Sequence, residues 1–138
     1  MRGVWTALIL VVAVIVAADN AVAQSKPGAK PAPPKNPVAA TAASVKAGQQ
    51  VYAQQCRHCH GVKGLGDGTL APTNPRPRNF AEGKWQFGST DGDLFNVIWN
   101  GAPKPKTEMK GMKGTLAEKD VWNIVNFIRT LGPKTAPR

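Results

Sequence analysis

The stretch Cys56-Arg57-His58-Cys59-His60 decides how the rest of this 138-residue chain is interpreted. It contains both cysteines and both histidines of the sequence. Two thiols three positions apart, followed directly by a histidine, form the C-x-x-C-H pattern of covalent haem attachment. Each thiol can add to one of the two porphyrin vinyl groups, and the histidine then lies beneath the iron as its proximal ligand. We therefore expect one covalent haem c, attached through Cys56 and Cys59 and ligated by His60.

Other uses of paired cysteines fit this stretch less well. A disulfide is the usual first expectation for two cysteines in an exported protein, but the adjoining His60 favours haem attachment instead. Structural zinc needs four ligands, usually from two separated pairs, and the sequence has no second pair. A thioredoxin-like redox pair needs a βαβ context, which is missing. His58 is expected to be exposed, because neighbouring side chains cannot both reach the same face of an iron.

The second axial ligand cannot be another histidine of this chain. A methionine thioether is the usual alternative, and its softness stabilises ferrous iron and raises the reduction potential. Apart from Met1, the candidates are Met109 and Met112, which both precede the last predicted helix. Either side chain could instead pack in the core, so the residues alone leave both open.

The first 23 residues have the pattern of an export signal. Arg2 provides a positive start, residues 4–18 are almost continuously apolar, and Ala21-Val22-Ala23 fits the small-x-small cleavage rule. The apolar run is shorter than the roughly 20 residues that a membrane-spanning helix needs. We therefore expect cleavage before Gln24 and a periplasmic protein, with an uncleaved membrane tether as the alternative.

The remaining chain divides by composition into an arm, a domain and a tail. Residues 24–41 are rich in Pro, Ala and Lys, which predicts a disordered or polyproline-like spacer. Residues 42–132 form the predicted folded domain, and residues 133–138 form a short tail. Between His60 and Phe80 the domain has a long loop rich in Gly and Pro, which we expect to pack on a haem face.

The first predicted helix runs from about Ser44, as its N-cap, to Cys56. Gly48, Tyr52 and Cys56 lie four positions apart and therefore share one face. A glycine inside a helix costs about 1 kcal/mol relative to alanine. We therefore expect another backbone to cross closely at Gly48.

Two further helices show cap and periodicity signals. Residues 91–100 follow Thr90, with Asp93 three positions later, and end before Gly101. The segment Thr115-Leu116-Ala117-Glu118 fits a capping box for the last helix, which Gly132 ends. Its apolar residues recur at helical spacing, at Val121, Ile124, Val125 and Ile128. No segment alternates as a strand would, so the domain is predicted to be all-α.

The charge balance is strongly basic, with 18 Lys and Arg against 8 Asp and Glu. Such a balance suits nucleic acid, an anionic membrane or an acidic protein. Because an exported protein seldom meets nucleic acid, we favour an acidic protein partner, with membrane contact only through a membrane-bound redox complex or an uncleaved N-terminus. Residues 109–112, which contain both candidate methionines, are called the methionine segment here. Four lysines lie in or near this segment and could form a docking ring: Lys104, Lys106, Lys110 and Lys113.

Over residues 44–132 the sequence resembles the class I monohaem c-type cytochromes. The likeness is carried, in order, by Gly48, Val51-Tyr52, Cys56–Gly61, Gly64–Gly68, Pro75–Phe80, Asp93–Gly101, Thr107–Met109 and Leu116–Arg129. The resemblance implies a small all-α cytochrome c fold, with three or more helices around one covalently bound haem. It also implies that the first and last helices cross, with Gly48 and Tyr52 near Trp122 and Val125.

The resemblance further implies roles for single residues. In the family the axial methionine lies about seven residues before the leucine that opens the last helix, which fits Met109 and Leu116 and leaves Met112 as runner-up. Lys110 stands where the family usually has a proline. A family proline carbonyl accepts the Nδ1 proton of the proximal histidine, and Pro75 is the first choice here, before Pro72 and Pro77. The candidates near the haem propionates are Trp85, Lys84 and Arg78.

These expectations predict electron transfer by one His/Met-ligated haem, without enzymatic activity of the chain itself. One alternative is a haem subunit fixed in a larger oxidoreductase, with the Pro-rich arm as a tether. A second alternative is a ligand sensor or haem enzyme with an open iron site, which needs a weak or missing methionine bond.

Overall fold

The structure is a computed structural model that describes residues 32–103, 107 and 109–133. These residues form four α-helices, one short 3-10 helix and no strand. The helices are α1 (Ala42–Gln55), α2 (Arg57–His60), α3 (Asp91–Asn100) and α4 (Glu118–Leu131), with the 3-10 helix at Phe80–Glu82. The all-α prediction is therefore confirmed. The predicted signal peptide, the start of the arm and most of the tail lie outside the described residues.

Helices α1 and α4 cross at Gly48, as the sequence predicted. A Cβ atom on Gly48 would overlap the backbone carbonyl of Asn123, so only glycine permits this approach. One helical turn later, the ring of Tyr52 packs at a tilt on Phe127, with 5.1 Å between centroids. The ring of Trp122, which was expected near this crossing, stacks on Phe95 of α3 with 4.0 Å between centroids.

The N-terminus of α1 differs from the prediction. Thr41 is the N-cap, and its side chain accepts a hydrogen bond from the backbone N–H of Ser44. Ser44 lies inside the first turn and is buried. Its hydroxyl donates to Oδ1 of Asn123 at 2.7 Å and accepts from Nδ2 of Asn126 at 2.8 Å. The hydroxyl that looked like a cap thus pairs buried amides of α4.

The predicted disordered arm is partly docked. Asn36 donates from Nδ2 to Oδ1 of Asn126 at 2.9 Å, and Asn126 donates to the carbonyl of Val38 at 3.1 Å. Val38 is half-buried against the core, and Pro34 lies directly over Gly92 in the first turn of α3. An amide and an apolar side chain within the Pro-rich segment give it these contacts. The part of the arm before residue 32 lies outside the described residues.

The two later helices begin differently. Helix α3 has the predicted bounds and the predicted capping box, in which Thr90 and Asp93 exchange hydrogen bonds. Helix α4 begins at Glu118 with Ala117 as an N-cap that offers no side-chain bond, so its predicted capping box is wrong. The reason is that Thr115 and Leu116 donate their N–H groups to the carbonyl of Met112 and form a turn before the helix.

The long loop from 61 to 79 folds back against α2. Gly66 donates to the carbonyl of His60 at 2.8 Å, and Phe80 donates to the carbonyl of Gly64 at 2.7 Å. Gly64 has a φ of +70°, and a side chain there would also meet the ring of Phe80. This loop and α3 form two walls of one cavity.

Candidate haem site

A mainly apolar cavity of about 370 Å³ lies between α2, the loop 61–79, α3 and the methionine segment. Its walls bring together candidate residues from distant parts of the sequence: Cys56, Cys59, His60, Pro72, Pro75, Pro77, Arg78, Trp85, Met109 and Met112. Lys84 is not part of the lining. Leu94, Val97 and Ile98 of α3 supply much of the apolar wall.

The end of α1 and the single turn of α2 position the attachment residues. Cys56 terminates α1 and donates its N–H to the carbonyl of Tyr52 at 2.9 Å. The carbonyl of Cys56 then accepts from the N–H of His60 at 2.9 Å, which places Cys56, Cys59 and His60 on one helical turn. Both cysteines are half-buried free thiols. This turn presents two thiols and one imidazole to the same cavity, as covalent haem attachment requires.

Burial raises the pKa of the Cys56 thiol to about 12, and the neighbouring Cys59 adds to the shift. The thiolate is therefore disfavoured at this position. A thioether carries no charge and avoids that cost. The environment of Cys56 therefore suits a neutral, covalently linked sulfur.

The imidazole of His60 is held in its neutral form. Burial lowers its pKa, and the backbone of Arg78 raises it by a smaller amount. Nδ1 is buried and has no hydrogen-bond partner among the described residues. Neutral imidazole is the form that binds a metal ion. Pro75 lies exposed on the cavity wall, and its role as the acceptor of the Nδ1 proton stays a prediction.

An aromatic wall of Phe80 and Trp85 supports His60, and of these two only Trp85 was a candidate from the sequence. The imidazole stacks on Phe80 with 4.8 Å between centroids and 19° between planes. Phe80 stacks in turn on Trp85 at 5.7 Å. Nε1 of Trp85 is buried and unpaired within the described part of the chain, so it could donate to a carboxylate of a bound haem. The only local signal of Phe80 in this wall was its apolar side chain at the end of a Pro-rich loop.

Both candidate methionines reach the cavity and are half-buried against the core. The N–H of Met109 donates to Oγ1 of Thr107 at 3.0 Å, and its carbonyl accepts from Ala102 at 3.1 Å. The N–H of Met112 donates to the carbonyl of Ile98 at 2.9 Å. The cavity therefore admits a second sulfur ligand from this segment, and the choice of Met109 stays a prediction.

The charged residues assigned to docking are only partly described. Lys110 and Lys113 are exposed, and Lys110 also borders the cavity. Lys104 and Lys106 lie outside the described residues. His58 is exposed, as expected, and its carbonyl accepts from the N–H of Leu70 at 2.7 Å. Of the two described lysines, only Lys110 therefore borders the cavity.

No helix in the part of the chain that the structure describes has the length and apolarity needed to span a membrane.

The family model described as cytochrome c matches residues 45–132. No curated protein matches the chain.

The solved structures that are similar to the chain include the following two. The first is the Kuenenia stuttgartiensis reducing HAO-like protein complex Kustc0457/Kustc0458, with a TM-score of 0.64 and 25% identity over 70% of this chain and 47% of that one. The second is cytochrome cL from the marine methylotrophic bacterium Methylophaga aminisulfidivorans MPT, with a TM-score of 0.51 and 22% identity over 64% of this chain and 53% of that one. The second likeness concerns the fold alone. The chain spans about half the length of these two proteins.

Proposed function

The chain belongs to the cytochrome c family, which binds haem c covalently, and we propose that it is a periplasmic electron carrier whose haem is ligated by His60 and Met109. The observation that carries this proposal is the shared cavity, which has two free thiols, a half-buried imidazole and a thioether on its walls. The predicted export signal at residues 1–23 supports the proposed location.

The bound haem supplies a one-electron couple between ferric and ferrous iron. The chain holds and shields it. Cys56 and Cys59 tether the porphyrin, and His60 offers an imidazole that needs no deprotonation. Leu94, Val97 and Ile98 exclude water from one face of the cavity. A site with two fixed protein ligands changes little in structure when its charge changes, which suits rapid electron exchange with a partner.

A haem subunit fixed within a larger oxidoreductase is the second candidate. The solved structure with a TM-score of 0.64 is a protein complex, and this likeness favours a permanent partner. Purification of the native protein at high salt separates the two. A free carrier leaves the column alone, whereas a fixed subunit retains a second chain through the high-salt wash.

The ligand assignment is tested by visible spectroscopy of the holo-protein, oxidised and reduced, with and without CO. The wild type should show sharp reduced c-type bands, a methionine–Fe(III) charge-transfer band and no response to CO. Met109→Leu should lose the charge-transfer band and bind CO when reduced, because its sixth site opens. Met112→Leu is the matched control, since it removes a thioether from the same cavity, and it should behave as the wild type.

Two outcomes contradict the proposal. If Met112→Leu gains CO binding and Met109→Leu does not, the distal ligand is Met112. If the wild type binds CO rapidly, the sixth site is open, and ligand sensing or catalysis replaces electron transfer as the better function.

A further inference from the structure

A continuous series of ring contacts joins His60 to a buried cation on α4. The His60–Phe80 and Phe80–Trp85 stacks lead along the cavity wall. The guanidinium carbon of Arg129 then lies 5.4 Å from the centre of the Trp85 ring. His60, Phe80 and Trp85 line the cavity, whereas Arg129 is not part of its lining. Arg129 is therefore placed behind the wall that supports the proximal imidazole.

Arg129 is buried to an extent unusual for a charged residue, with 6% of its surface exposed. Its Nε atom donates to Oδ1 of Asp91 at 2.8 Å, and Nη2 donates to the carbonyl of Ser89. Nη1 is buried without a partner among the described residues. Burial of a cation with an unpaired N–H group lowers the stability of the folded protein, so packing alone does not explain the position of Arg129.

We propose that Arg129 is a positioning residue that raises the reduction potential of the haem, through a fixed positive charge that Asp91 holds against the Trp85–Phe80–His60 stack. This inference rests on the proposed function, because it needs His60 as the proximal ligand. Arg129 touches no reacting atom. Trp85 and Phe80 lie between its charge and the proximal imidazole.

The direction of the change in reduction potential follows from the charge of the iron. The oxidised haem has one more positive charge than the reduced haem, so a nearby cation disfavours oxidation and raises the potential. The interaction is stronger in a low-dielectric interior than in water, and salt screens it less than it screens a surface charge. Asp91 opposes this effect, because its negative charge favours the oxidised haem.

The test is potentiometry of purified holo-protein variants at low and high salt, after spectra show that each has the axial ligation of the wild type. Arg129→Gln should lower the midpoint potential. Asp91→Asn should raise it, because the guanidinium then loses its compensating charge. Both variants break the same ion pair, so a purely structural role would move both potentials in the same direction. These shifts should persist at high salt.

Two further variants complete the test. Arg129→Lys keeps the charge and should lie closer to the wild type than Arg129→Gln. Lys119→Gln removes an exposed charge from the same helix and should change the potential little. Shifts of one sign for Arg129→Gln and Asp91→Asn, or no shift in either, overturn the inference. If Asp91→Asn does not fold, equal lowering by Arg129→Lys and Arg129→Gln overturns it. A failure of the proposed function would appear separately, as a wild-type spectrum without His/Met ligation.

Discussion

At the scale of single residues, Tyr52 connects the helix crossing to the haem-attachment segment. Its hydroxyl donates to the carbonyl of Gly61 at 2.8 Å, just after the C-x-x-C-H motif. The side chain is 2% exposed and lines the cavity. Burial raises the pKa of this hydroxyl well above its usual range, and the negative charge of Asp67 adds to the shift. The neutral phenol is therefore part of the folded structure.

The shift makes the stability of the protein sensitive to alkali. An unfolded tyrosine loses its proton near pH 10, whereas folded Tyr52 keeps it, so this contribution is complete below about pH 10 and decreases as the pH rises further. Tyr52→Phe should be about 1 kcal/mol less stable at pH 7, because it loses one buried hydrogen bond. The difference from the wild type should narrow above pH 10. Urea unfolding of both holo-proteins between pH 7 and pH 11 measures this.

No other phenol contributes to the comparison of the two proteins, since Tyr52 is the only tyrosine of the chain. Lysine titration affects both proteins alike and cancels from the difference. A stability gap that stays constant up to pH 11 would show that the phenol titrates normally in the folded protein.

Single residues also show how much of the site could be predicted from sequence. Cys56, Cys59 and His60 were predictable because one helical turn holds all three, and local spacing records their relation. The contact of His60 with Phe80, and that of Trp85 with Arg129, were not predictable in this way. Only the tertiary fold brings those partners together, and no sequence period connects them.

At the scale of elements, the difference between local contacts and contacts made by the tertiary fold decides which helix ends were predicted. Helix α3 has its predicted bounds because both members of its capping box, Thr90 and Asp93, are local. The starts of α1 and α4 were misplaced because a serine or threonine hydroxyl can cap a helix or serve another purpose. Ser44 pairs with amides of α4, and the backbone of Thr115 enters a turn. Local sequence cannot distinguish these uses.

At the crossing of α1 and α4, helix propensity and packing have opposite effects on the stability of a Gly48→Ala variant. Alanine is a better helix former than glycine by about 1 kcal/mol, so Gly48→Ala would stabilise an isolated helix. In the protein the added Cβ meets the backbone carbonyl of Asn123, which cannot move unless the helices separate. Overpacking of this kind typically costs about 1–3 kcal/mol. We expect Gly48→Ala to lower the urea midpoint of the holo-protein.

Gln49→Ala is the matched control, because the neighbouring position on α1 is exposed. It should leave the midpoint almost unchanged. A Gly48→Ala protein that is more stable than the wild type would mean that the two backbones are not in contact at this point.

At the scale of the whole molecule, the formal charge of +10 affects how partners approach. Long-range attraction raises the encounter rate with an acidic protein, and dissolved salt weakens it over a Debye length of about 10 Å at 0.1 M. Lys110 and Lys113 are exposed beside the methionine segment, and Lys110 borders the cavity. If electrons leave through this side, these two charges matter more for docking than equal charges elsewhere on the surface.

Stopped-flow reduction by an acidic flavoprotein of known potential tests this. The rate for the wild type should fall steadily as ionic strength rises, while reduction by an uncharged hydroquinone should hardly respond. The double variant Lys110→Gln/Lys113→Gln should be slower at low salt and should show a weaker salt dependence. The control Lys35→Gln/Lys46→Gln removes the same net charge from exposed positions outside the cavity lining, so it should keep most of the wild-type rate. Equal losses in the two double variants would assign the attraction to net charge alone, and a salt-independent wild-type rate would refute the docking ring.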